Sequence, residues 1–421
     1  MELRYGSKVI DIGFDRAFFD IVIEPPFSKR IEDPLKEFNY ILENPLNTRP
    51  LKELLKEKDP GSVAVIVEDK TRKNPEYPKF LNEIIDIINK TSKSRIYLIA
   101  AYGTHSKHTR EEHELLYGRE NLKKVTLIDH DSRDSDSLTQ IGTLSCGEPL
   151  MVNKYAAMSD FVITFGTVSP HAFAGFTGGR KAILPGIASY SVIRNNHSMV
   201  CLDNTDLGVL HNNPIHNQMT EAARLLNIDF SIQMVRDNKG DISGIFAGEP
   251  DTAFKAGVEY CKKINSVKVP GMGDIVFVSC GGHPKDKSLY QSQRAITTAA
   301  KITRPGGLMV VFAEFLEGVG DKLYYQWLKK PLEELMTLDS SQIDLGIHSA
   351  YLTARNLNKC TIALFTGMEK ELTEELHFIK LKDTAKVKEL VEGFHKVEKP
   401  VCYVIPNGSE ILIEVDFPQG S

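Results

Sequence analysis

One stretch of this chain crowds together side chains that do polar chemistry. Between Pro170 and Ala188 stand His171, Gly175, Gly178, Gly179, Arg180 and Lys181, and His197 follows shortly after. Glycines leave backbone N–H groups uncovered, and the adjacent Arg180 and Lys181 add positive charge, so the stretch reads as a seat for a phosphate or nucleotide. Two other clusters share its character: Glu68-Asp69-Lys70-Thr71-Arg72 and Tyr102-Gly103-Thr104-His105. Several polar clusters of this kind favour a functional site over isolated turn residues. The simpler reading of the glycine loop alone is a surface turn with two solvated cations. His105, His171 and His197 together favour a site.

The elements that must position these residues are legible as apolar runs. Residues 62–67, 95–100, 125–128 and 161–165 read as buried parallel strands, and the clusters at Asp69, Arg72, His105 and His171 each follow one of them. Strand ends of this kind converge on one crevice. A second set of runs, 275–279, 308–312, 361–365 and 402–405, repeats the pattern, with a terminal strand at 410–415. Its first run leads into Cys280–Arg294, again polar and glycine-containing. The expected fold is therefore α/β: two α/β domains, 1–265 and 266–421, with mainly parallel sheets, peripheral β-hairpins and an active site in the interdomain cleft. Residues 3–24 read as a hairpin turning near Gly13, residues 230–246 as another, and 265–273 as a linker.

Composition sets the outer limits. With 421 residues, 42% of them hydrophobic, the chain is long enough for two cores. A net charge of −5 without basic runs argues against a nucleic-acid partner. No window approaches a membrane span and the start carries no apolar leader, so a cytoplasmic protein is expected. The six cysteines are scattered without a CxxC pair and are assigned to packing. His108 and His113 read as surface residues and His130 as part of a solvated acidic loop, while His211 and His216 are undecided. Residues 419–421 are set aside.

Taken in order, Asp69-x-Thr-Arg72, Gly103-x-His105, His171-x-Phe-Ala-Gly-Phe-x-Gly-Gly-Arg-Lys181, Leu-Pro-Gly-Ile-Ala188, Asn196-His197 and Gly281-Gly-x-Pro-x-Asp-x-x-x-Tyr290-Gln291 resemble the nickel-pincer lactate racemases and their 2-hydroxyacid relatives. The resemblance runs nearly the whole length. It implies a nickel-dependent racemase or epimerase of a 2-hydroxy acid, using a pyridinium mononucleotide that carries thioamide and thiocarboxylate groups. It implies covalent attachment of that nucleotide at Lys181, nickel ligation by His197 and acid/base roles for His105 and His171. Asp69, Gly178, Gly179 and Arg180 would hold the cofactor, and Arg72, Tyr290 and Gln291 the substrate. Proteins that build the cofactor become implied partners, and an oligomer is possible.

This reading makes chemical sense. One histidine alone cannot select nickel, but a tethered pincer would fill three corners of a square plane and leave the fourth to His197. Removing hydride from Cα avoids building negative charge beside a carboxylate, and an enzyme-bound 2-keto acid can take hydride back on either face. Two bases then serve the two placements of the hydroxyl. Where lactate racemases carry a lysine this chain has Arg294, and where they carry a tryptophan it has His348. Both changes suggest a substrate larger or more polar than lactate, with lactate retained as an option; His348 is expected to add a donor. The competing readings are a non-catalytic two-lobed protein for an anionic metabolite, a nucleotide-dependent oxidoreductase and a zinc hydrolase. The oxidoreductase lacks G-x-G-x-x-G after a strand, and the hydrolase lacks local ligand spacing.

Overall fold

A computed structural model describes residues 1–25, 30–72, 75–394 and 399–416, with the side chain of Arg72 outside the description. The last residues set aside above, 419–421, also lie outside it. Two six-stranded sheets dominate. The first runs, in spatial order, Ile242–Gly248, Phe230–Arg236, Phe161–Val168, Ser62–Val67, Arg95–Ala100 and Thr126–Asp129. All neighbours are parallel except the pair formed by Ile242–Gly248 and Phe230–Arg236. Strands buried on both faces need no polar alternation, which is why Ser62–Val67 and Phe161–Val168 read as continuous apolar runs.

Helix Tyr77–Thr91 covers one face of this sheet with Phe80, Leu81, Ile84, Ile85 and Ile88, an apolar stripe at helical spacing. Two helices precede it, Pro34–Glu43 and Leu51–Lys58. The first is capped by Asp33, with Pro34 at its start.

The second sheet is parallel throughout: Ile379–Leu381, Thr361–Phe365, Thr303–Phe312, Gly273–Ser279, Cys402–Ile405 and Ile21–Val22. Its last strand comes from the N-terminus. Ile21–Val22, in the segment grouped by sequence with the first domain, thus pairs within the second sheet, while Glu2–Tyr5 and Lys8–Asp11 form a two-stranded sheet of their own. Phe14, Phe18 and Phe19 pack against Phe277 with ring centroids 5.2, 6.2 and 5.1 Å away. The expected hairpin also turns earlier than Gly13, pairing Glu2–Tyr5 with Lys8–Asp11. The expected linker likewise holds a strand, Ser266–Val269, parallel to Leu412–Val415.

The two halves share a core. Ile343, Ile347, Tyr351 and Leu352 of the second half are buried among Phe173, Ile183, Leu184 and Val192 of the first. Asp344 accepts from the Tyr190 hydroxyl at 3.0 Å, and Asp206 lies 3.6 Å from Lys301 and 3.8 Å from Arg355. No described helix is long and apolar enough to cross a membrane.

Candidate functional site

Strand Ser62–Val67 ends at Glu68, whose carboxylate accepts the Thr167 N–H and hydroxyl at 2.7 and 2.9 Å and so fixes one strand end to its neighbour. Asp69 follows. It is 6% exposed and lies 2.6 Å from Nδ1 of His105, which comes from the loop after Arg95–Ala100 and is 61% exposed. A carboxylate can only accept here, so the neutral ring carries its proton on Nδ1 and offers Nε2 as a base. The same carboxylate stabilises the imidazolium that forms. Arg72 ends the one-turn helix Lys70–Arg72 beside this pair, and its side chain lies outside the described residues.

Behind the pair, sequence expectations need correction. His108 and His113 are buried rather than superficial. Nε2 of His108 accepts the Lys70 N–H at 2.9 Å, and Tyr102 and His113 both meet Asp129, which closes the space between the two loops. His130 is 1% exposed instead of solvated. Its Nε2 lies 3.0 Å from the Ala188 carbonyl, and burial pushes its pKa down to about 4.

The third strand end carries the glycine-rich stretch. Phe161–Val168 runs into a two-residue ribbon that pairs Pro170–His171 with Gly175–Phe176. The Ala174 N–H donates to Nδ1 of His171 at 3.3 Å, so the proton of the neutral ring sits on Nε2, 3.2 Å from Nζ of Lys181. The glycines and Arg180 are not an open anion seat. Gly178, Gly179 and Arg180 are buried, and the Gly179 N–H is taken by Gln233 at 2.9 Å. A Cβ on Gly178 would lie 2.5 Å from Oε1 of Gln233, and its φ is +84°, so glycine is required there for packing. Arg180 turns inward to the carbonyls of Ala174, Phe176 and Gly178, with its Nε on His216 and its guanidinium 4.2 Å from the Phe254 ring centroid.

Sequence reading missed Gln233 and Phe254 and left His216 undecided. The available signal was Gln233 itself, which with Ser231 interrupts the apolar run Phe230–Val235. His211 is exposed.

His197 sits in the last turn of helix Tyr190–Ser198, whose start is capped by Ser189. It is 9% exposed, its Nδ1 has no hydrogen-bond partner, and its pKa is held well below the ordinary histidine value. Burial is the main cause, followed by His348, Lys181 and His105. Phe173 ties the group together, with ring centroids 4.6 Å from His171, 5.1 Å from His197 and 5.5 Å from His348. His105, His171, Lys181 and His197 are therefore neighbours although 92 residues separate the first from the last.

The second half contributes His348, from the first turn of helix Ile347–Lys359, with its ring 5.4 Å from that of His197. The donor expected of it is engaged within its own helix turn. Nδ1 accepts the Gly346 N–H at 3.1 Å, and Nε2 pairs with the Ser349 hydroxyl at 3.1 Å. Tyr290 is partly buried against Tyr324, 5.6 Å between centroids, and burial raises its pKa. Arg294 lies 3.9 Å from Glu410 within its own half, and Gln291 is exposed.

Residues 5–208 match the lactate racemase N-terminal domain family and residues 269–413 the lactate racemase C-terminal domain family. A lactate racemase of Thermoanaerobacterium thermosaccharolyticum is 31% identical over 382 residues, 88% of each chain. One from Lactiplantibacillus plantarum is 34% identical over 289 residues, covering 68% of this chain and 67% of that one. The structure of the lactate racemase apoprotein from T. thermosaccharolyticum superposes with a TM-score of 0.91 at 28% identity, over 98% of this chain and 99% of the other. A Thermotoga maritima protein at 15% identity shares the fold, with a TM-score of 0.65 over 93% of this chain and 100% of the other. Matches to both domain families, together with relatives above 30% identity along most of its length, make this chain a member of the lactate racemase family, an enzyme of the isomerase class.

Proposed function

We propose that the chain interconverts the configurations of a 2-hydroxy acid, lactate or a larger and more polar relative, by reversible loss of hydride from Cα. The observation that carries this reading is the gathering of two differently held imidazoles, a lysine and a buried neutral histidine in one place. A nickel-bearing pyridinium nucleotide attached at Lys181 and ligated by His197 would supply a hydride acceptor and donor. The residues fit two parts of that group. Lys181 presents an amine beside His171, and His197 offers a buried, unprotonated nitrogen, the form a metal ligand must have. They do not fit the third: the N–H of Gly179 and the guanidinium of Arg180 are already engaged, so neither is assigned to the phosphate.

In the reaction His105 takes the hydroxyl proton at Nε2 while Asp69 steadies the resulting charge, and His171 is the proposed base for the opposite configuration, a role that requires its ring to give up the Ala174 N–H and carry its proton on Nδ1. Arg72 and Gln291 are the proposed partners of the substrate carboxylate. Arg294 would have to leave Glu410 to join them. His348 and Tyr290 shape the wall contributed by the second half, and closure of the two halves over the substrate is part of the proposal. The proteins that build the nucleotide are the partners this reading requires, with the cytoplasm as the setting.

The test is the intact mass and nickel content of protein made with and without those cofactor-building proteins, beside Lys181→Ala. A nucleotide-sized adduct with one equivalent of nickel, absent from the variant, is expected. No adduct and no nickel, with the maturation proteins active on a control, would sink the reading.

A further inference from the structure

Asp286 is a buried carboxylate with no direct part in the proposed reaction. It is 1% exposed, and among the described residues no cation lies within ion-pair distance of it; its neighbours Lys285 and Lys287 pair with Glu410 and Glu317 instead. Oδ1 is buried without a hydrogen-bond partner. Oδ2 accepts the Gly6 N–H at 2.6 Å and the Glu314 N–H at 3.3 Å. Burying a carboxylate without a counter-ion is costly, and charge-assisted bonds to backbone N–H groups offset that cost here.

The two donors come from separate parts of the chain. Gly6 is in the turn between Glu2–Tyr5 and Lys8–Asp11, with φ +56°, and a Cβ on it would overlap the Glu314 carboxylate. Its carbonyl accepts the His283 N–H at 2.8 Å, and the Arg4 carbonyl accepts the Ser279 hydroxyl at 2.6 Å. Glu314 follows strand Thr303–Phe312 and opens a loop that is bonded along the segment of Asp286 itself. The Phe315 N–H donates to the Asp286 carbonyl at 2.9 Å, and the N–H groups of Leu289 and Tyr290 donate to the carbonyls of Gly318 and Val319, both at 3.0 Å. Between Ser279 and Gln293 the described residues form no helix or strand. The positions of Tyr290 and Gln291 are therefore set by these cross-links.

We infer that Asp286 is a positioning residue for the wall that the second half contributes to the site. By holding Gly6 and Glu314 on one oxygen it fixes the frame on which residues 287–291 lie, and it makes the hairpin of residues 2–11 part of that frame. In the contacts described its side chain touches neither Tyr290 nor Gln291, and its effect passes through the backbone. The consequence for substrate rests on the reading above, in taking Gln291 as a partner of the substrate carboxylate. Displacing a partner that serves ground and transition states equally raises KM and spares kcat.

Asp286→Ala removes the acceptor, Asp286→Asn keeps one oxygen for the two N–H groups without the charge, and Gln291→Ala removes the substrate contact itself. The readouts are amide hydrogen exchange in the unloaded protein, comparing residues 281–292 with the buried strand Phe161–Val168, and KM and kcat of the matured enzyme for lactate. In Asp286→Ala, exchange over 281–292 should quicken about tenfold, the scale of one lost charge-assisted bond, while Phe161–Val168 stays within about twofold. KM should rise about tenfold with kcat within about twofold. Asp286→Asn should stay within about threefold of wild type in both readouts. Unchanged exchange over 281–292, an equal rise in both regions, an Asn variant as impaired as Ala, or a KM that Gln291→Ala raises and Asp286→Ala does not, would each overturn the inference. Should Asp286→Ala fail to fold, residue-level exchange of the wild type decides: the Gly6 N–H must be protected about a hundredfold over an open turn, and an unprotected Gly6 overturns the inference. If Gln291→Ala leaves KM unchanged, or lactate is not turned over, the substrate reading loses its support at Gln291, while exchange still decides the role of Asp286.

Discussion

Asp69 and Gly178 carry the most specific consequences for single side chains. Asp69 is buried while His105, which it holds, is exposed, so the carboxylate acts by fixing which ring nitrogen is basic. Asp69→Asn keeps the size but can turn an N–H toward the ring and reverse that choice. On the proposed reaction, turnover of the matured enzyme should fall by about a hundredfold or more with little change in folding stability. Turnover equal to wild type would remove His105 from the mechanism. Gly178 tests the other correction. If its glycine is needed for packing on Gln233 and Val168, Gly178→Ala should lower the stability of the unloaded protein by about 3 kcal/mol in urea, before any cofactor is involved. If the glycine served only an anion, that stability would be unchanged.

At the level of elements, the N-terminal segment makes the sharpest case. Strand Ile21–Val22 adds to Tyr403 and Val404, and Phe19 is buried against Phe277. Phe19→Ala should therefore cost about 3 kcal/mol of stability, read by chemical denaturation, although it lies far in sequence from the sheet it supports. The central strands were legible because parallel strands buried on both faces must be continuous apolar runs. The placing of residues 2–22 was not, because two four-residue strands that pair with each other and a two-residue strand carry little period, and the strand that Ile21–Val22 joins lies at the other end of the chain. The site followed the same division. Strand ends marked Asp69, His105 and His171, since any parallel sheet gathers its carboxyl ends. The direction of Gly178, Gly179 and Arg180 was hidden, because the same residues suit either an anion seat or an inward clasp. The choice is made by Gln233, His216 and Phe254 on later elements.

For the whole molecule, buried histidines set how stability responds to acid. His130 is the cleanest probe: it is enclosed in the first half, bonded to the Ala188 carbonyl, and burial lowers its pKa from 6.5 to about 4. Because the folded value lies below the unfolded one, the unfolded chain binds the proton first as pH falls. Stability is therefore full above about pH 6.5, declines between about 6.5 and 4, and changes no further from this group below that. The interval is worth about 3 kcal/mol. His216, less enclosed, acts in the same direction. Carboxylates held below their ordinary range, such as Asp86 beside Lys124 and Asp160 beside Ser62, act at lower pH and leave this window to the histidines. Since the halves share a core around Ile343, Ile347 and Leu352, opening the first half exposes part of the second, and a probe in one half reports on both. Urea midpoints of the unloaded protein should fall steadily from pH 7 to 4.5. His130→Gln should flatten that fall by nearly one proton near pH 5, since Gln cannot take up charge in the unfolded chain. An identical slope in wild type and variant would mean that His130 is already accessible to protons in the folded protein, and that the packing over it is looser than its burial implies.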